Sequence, residues 1–180
     1  MSAERSPGKL WQRLISEGTS DSALWSELLL PKPERSEQLA FSPLAAPELA
    51  LGIETIYEGY LVHYGSSRLF APGDPNLALL LGDRLYAHGL VHVSEAGSVA
   101  VVADLATLLG LCARLQAERK SGDGALWAAA IALLGQDGLS EAGNALLDSG
   151  DAEPLLRMAR EAAGAEPVAR ALAVHSCRFP

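Results

Sequence analysis

Positive charge is in short supply in this chain: 14 Lys and Arg stand against 22 Asp and Glu, a formal net charge of −8 over 180 residues. Nucleic acids and anionic bilayer surfaces both select a basic face, so neither is an expected partner. Cysteine is scarcer. Cys112 and Cys177 are the only two and lie far apart, which is not the dense spacing of a disulfide scaffold and suits a reducing cytoplasm. No apolar run reaches bilayer-spanning length, since the longest, 99–115, is interrupted by Asp104 and Arg114. The charged N-terminus, broken by Pro7 and Gly8, lacks the apolar stretch of a secretion signal. A soluble, cytoplasmic protein is expected. Also missing are a Gly-rich phosphate loop and the G-x-S-x-G turn of serine hydrolases.

Helix formers are abundant. The chain holds 30 Ala and 32 Leu, about a third of its length, while aromatics make up only 6%. That composition, in a length typical of one domain, predicts an all-α, single-domain helical bundle. Residues 1–46 read as an accessory segment of short helices and loop. The first helix is expected over 8–15 and the second over 20–30, the latter opened by Ser20 or Asp21 and stopped by Pro31 and Pro33. Residues 47–180 read as the main helical domain. Its first helix, over 48–63, repeats Leu49, Ile53, Ile56, Tyr57, Tyr60 and Leu61 at three- and four-residue steps, with Glu54 and Glu58 on another face. Asp74-Pro75 is a strong helix start, because Asp caps and Pro fits the first turn.

A long helix follows over 98–118, and a β-hairpin over 90–102 is the competing reading, with β-branched residues alternating around a glycine. The near-continuous apolar stretch 125–134 is the candidate central helix, and shorter helices follow over 140–147, 154–163 and 167–175.

Few residues converge on chemistry. His88 and His92 share one helix face at zinc-ligand spacing, but Gly89 stands where a metalloprotease has its glutamate, and no third ligand is identifiable. Asp148 and Asp151 offer two carboxylates for Mg²⁺, although the intervening Ser-Gly is better suited to a turn between helices. Cys112 falls in an apolar stripe and reads as a small hydrophobe; Cys177, beside Arg178, is the more reactive thiol by position. Trp11, Trp25 and Trp127 fall on apolar faces and read as packing residues.

One pattern is more specific. The stretch 49–63, ending Leu61-Val62-His63, is followed after a loop by Leu79-Leu80-Leu81-Gly82-Asp83-Arg84-Leu85-Tyr86-Ala87, and then by a long helix and Gly124-Ala125-Leu126-Trp127. Residues 48–134 thereby resemble the trans-polyprenyl diphosphate synthases, and the resemblance implies a truncated isoprenoid synthase fold. It also implies ligand-binding roles for His63, Arg68, Asp83 and Lys120. The departures from the family pattern are chemical. Tyr64 and Gly65 stand where the first metal-binding aspartates belong, Arg68 alone remains of a paired-arginine segment, and no second aspartate-rich motif follows. A diphosphate confined among apolar helices without bridging metal costs several kcal/mol, roughly, so prenyl transfer is not expected. No metal, no cofactor and no catalytic residue are assigned. The resemblance implies a non-catalytic subunit, regulator or binder of an isoprenoid chain, whose partner is a catalytic prenyl synthase subunit or a second copy in a homo-oligomer. An unrelated helical protein-interaction module is the alternative.

Overall fold

The computed structural model describes residues 7–20 and 22–179. Among them the secondary structure is helical throughout, with one isolated β-bridge, Leu29 to Phe70, in place of any strand. The helices are α1 (Pro7–Thr19), α2 (Ala23–Glu27), α3 (Ala50–Tyr64), α4 (Pro75–Ala96), α5 (Val99–Ala117), α6 (Asp123–Ala132), α7 (Leu139–Ser149), α8 (Glu153–Ala163) and α9 (Ala165–Ser176). The all-α expectation holds, and residues 90–102, the competing hairpin, are helical on both sides of Gly97.

The helix starts obey the rules of capping. The Asp74 side chain accepts from the amides of Asn76 and Leu77, with Pro75 in the first turn. Ser98 caps α5 by accepting from Val101. Ser22 caps α2; of the two residues expected there, Asp21 lies outside the described residues and Ser20 precedes the cap.

Antiparallel α3 and α4 form the closest pair in the molecule, and four glycines make that possible. A Cβ on Gly89 would stand 2.8 Å from the Gly52 carbonyl oxygen; one on Gly59 would stand 2.9 Å from that of Gly82. These separations are below van der Waals contact, so only glycine lets the two backbones touch. α6 is central as expected: residues 124–131 are all buried, with α5, α7, α8 and α9 packed around them. Trp127, Phe41 and Tyr57 interlock there, Phe41 lying edge-on to Tyr57 with ring centroids 5.1 Å apart and stacked on Trp127 at 5.5 Å.

The N-terminal segment is built into the same body. Trp11 and Leu14 of α1 pack with Val62, Leu69, Phe70, Leu81 and Leu85, and Ala40, Phe41 and Leu44 enter the main core. Glu54 and Glu58 differ most from their sequence reading: both are 0% exposed. α5 shows the opposite departure. It is the one described helix long and apolar enough to cross a bilayer, yet only a third of its apolar window is buried.

Candidate functional site

The four residues singled out by the resemblance occupy three separate environments. His63, in the last turn of α3, lies over Gly82 of α4, where a Cβ would stand 2.4 Å from its Nε2. That approach sets Nε2 3.2 Å from Oδ1 of Asp83. The contact lacks hydrogen-bond alignment, so its attraction depends on a protonated imidazole. Burial, only partly opposed by Asp83, holds the His63 pKa below the ordinary histidine value and favours the neutral ring. Asp83 itself is largely in water, its side chain 66% exposed. The imidazole is covered by Tyr86 and Tyr64, at ring-centroid distances of 5.0 and 5.6 Å.

Arg68 faces the other way. Its side chain is fully buried between the two glutamates of α3: Nε donates to Glu58 Oε2 at 2.7 Å and Nη1 to Glu54 Oε2 at 2.5 Å. Nη1 also donates to the Gln38 carbonyl and Nη2 to that of Glu54. The guanidinium lies over the rings of Trp11 and Tyr57, 4.8 and 5.0 Å from their centroids. Two carboxylates against one cation leave one buried negative charge, and backbone and hydroxyl donors stabilise it. Glu54 Oε1 accepts from the amides of Ala40 and Ser42, and Glu58 Oε1 from those of Arg68 and Leu69 and from the Ser67 hydroxyl. Burial acts against the arginine charge, but the paired carboxylates outweigh it and hold the Arg68 pKa above its usual value. The result is a clamp joining residues 38–42, α3 and residues 67–69, with no guanidinium N–H turned to solvent for a phosphate.

Lys120 lies at the turn after α5. Its ammonium donates to the Leu147 carbonyl at 2.6 Å and pairs with Glu118 at 2.7 Å, tying that turn to α7. Of the four, only His63 and Asp83 come together.

A second buried polar network had no sequence signal beyond a histidine and an aspartate beside apolar stretches. The Tyr60 hydroxyl donates to Asp123 Oδ2 at 2.7 Å and accepts from Gln116 Nε2 at 2.9 Å. His175 Nε2 stands 3.2 Å from the same Asp123 oxygen, while its Nδ1 meets the Tyr57 hydroxyl at 3.0 Å. With the proton on Nε2, the Tyr57 hydroxyl donates to Nδ1, and Nε2 faces the Asp123 carboxylate. Burial acts to raise the Asp123 pKa, but His175 and Tyr60 bonds overcome it and leave the carboxyl below its ordinary value. Burial pushes the Tyr57 and Tyr60 hydroxyls and the Cys112 thiol upward. Phe179 covers the group, its ring centroid 4.6 Å from that of His175. This aspartate–histidine–tyrosine chain ties α3, α6 and α9 together.

His92, one of the paired histidines, bonds Glu17 of α1 through Nε2. Among the described residues no three His, Cys, Asp or Glu side chains gather as a metal site. Comparisons with known proteins leave this geometry on its own: no family, no curated protein and no solved structure matches the chain.

Proposed function

We propose that this protein is a non-catalytic, isoprenoid-synthase-like subunit that docks on a partner protein through the open face of α5, with exposed residues of α4 alongside. The observation that carries the reading is the exposure of α5. Val99 is 87% exposed, and Ala103, Ala106, Gly110, Ala113 and Ala117 continue at three- and four-residue steps on its exposed side. Small residues at that spacing let a second helix approach closely. On α4, Leu79, Leu80 and Val91 are each more than half exposed, adding large apolar side chains to the surface.

The clamp and the filled core support the non-catalytic half of the reading. Arg68 is committed to Glu54 and Glu58, and Trp127, Phe41 and Tyr57 pack against one another between the helices. The resemblance supplies the partner class, an aspartate-bearing prenyl diphosphate synthase. The alternative, a general helical interaction module, shares the same surface with a different partner.

Co-expression with the prenyl synthases of the same organism, followed by size-exclusion chromatography with light scattering, tests the proposal. A stoichiometric complex with one synthase, lost on Gly110→Trp or Ala106→Glu, is the expected result. A chain that stays monomeric with every synthase, or that condenses allylic and isopentenyl diphosphates unaided, overturns it. Flotation with lipid vesicles in place of complex formation does so as well.

A further inference from the structure

A cavity of about 860 Å³ lies between α1, residues 39–48 and the start of α3, and none of the residues that line it belongs to α5. Its size falls in the range of small-molecule sites, roughly 300–1,000 Å³. The half-buried side chains of Leu10, Leu39 and Leu51 line it together with Pro43. Charged residues stand only at Lys9, Arg13 and Glu48, a local excess of one positive charge in a chain of net charge −8. Arg13 is shared with Glu17 at 3.1 Å, whereas Lys9 is exposed and has no ion-pair partner among the described residues.

Ser42 adds an independent observation. It is 3% exposed and lines the same cavity, and its backbone N–H is held by Glu54, yet its hydroxyl meets no partner. Buried hydroxyls are ordinarily satisfied, because desolvating one without a bond is unfavourable.

The geometry points to a binding site for a single-chain lipid with an anionic head. The hydrocarbon lies along Leu10, Leu39 and Leu51, Lys9 meets the negative head, and the Ser42 hydroxyl bonds a polar atom of the lipid. A neutral hydrocarbon leaves Lys9 and Ser42 without a role, and a compact polar anion leaves the leucines without one.

Calorimetric titration of the full chain with oleate, below its micelle concentration, tests the site, with oleoyl lysophosphatidate as a second arm. One saturable site is expected for at least one of them, and the tighter arm distinguishes a carboxylate head from a phosphate head. Methyl oleate should bind at least tenfold more weakly, as should oleate to the Lys9→Glu variant. Ser42→Ala should weaken binding about threefold or more while raising the melting temperature of the lipid-free protein, a pairing that a purely structural serine does not produce. Absence of saturable binding by both lipids, equal affinity for methyl oleate, or an unchanged Lys9→Glu variant overturns the inference. So does a concentration-dependent dimer that excludes lipid, which would make a second copy the occupant.

Discussion

α3 and α5 are both strongly apolar helices, and the protein uses them in opposite ways. α3 buries 11 of its 15 residues, including two glutamates; α5 buries 6 of 19 and leaves Val99 almost bare. Hydropathy therefore does not rank the helices by burial. Supply of partners does. Glu54 and Glu58 are tolerated inside because one arginine, four backbone amides and a serine hydroxyl meet their oxygens. Nothing among the described residues covers the outer side of α5, so its alanines remain at the surface.

The sharpest way to break the contrast is to remove the cation that permits it. Arg68→Met leaves two carboxylates buried without their counter-charge and should cost about 3–5 kcal/mol in urea unfolding. Adding Glu54→Gln and Glu58→Gln to Arg68→Met should recover much of that loss, because the amide oxygens still accept from the loop amides. A single variant no less stable than the triple would show that charge pairing is not what holds α3 inside.

Glycine substitutions carry the same contrast at smaller scale. Gly89→Ala places a methyl 2.4 Å from Ile56 Cγ1 and 2.8 Å from a backbone oxygen, and should lower stability by about 1–3 kcal/mol. Gly110→Ala on α5 meets nothing within 4 Å and should raise it by about 0.5–1 kcal/mol, since alanine is the better helix former. Melting curves of the two variants should move in opposite directions.

Titration gives the smallest effects. His63 has a folded pKa below its ordinary 6.5, so the unfolded chain binds the proton more readily. The contribution of its neutral ring to stability is complete above that ordinary value and is lost as the pH falls below it. Asp83→Asn removes the opposing carboxylate and should lower the His63 pKa further, as read by NMR of the imidazole protons. Glu17 behaves differently in its own pH window. Burial acts to raise its pKa, but His92 and Arg13 hold it below the ordinary glutamate value. Its contribution is present above the unfolded pKa and disappears as the pH drops through the folded one. Glu17→Gln should flatten the acid side of the stability profile slightly, because the site is mostly solvent-screened.

Most of the helical layout was legible in the sequence because local rules determine it. Asp74-Pro75, Ser98 and the prolines at 154 and 167 mark helix starts within a few residues, and the unbroken apolar stretch of α6 announced its central place. The candidate site was less legible. Gly82 stands in the Leu79–Ala87 pattern, and it seats His63 beside Asp83. The glutamates of α3 were assigned to a separate face because their partners come from loops ten or more residues away, at Ala40, Ser42 and Arg68, which helical periodicity does not register. The Asp123–His175 pairing was hidden for the same reason: α6 and α9 meet only in three dimensions.

The clamp also bears on motion. Ala40 and Ser42 lie at a loop and a short 3-10 turn, segments whose amide protons normally exchange with solvent within moments. Here both amides end on a carboxylate inside the protein, so their deuterium uptake should be as slow as that of the middle of α3. The segment of chain beside the cavity would then keep time with the core it crosses, and breathe only when the whole molecule opens.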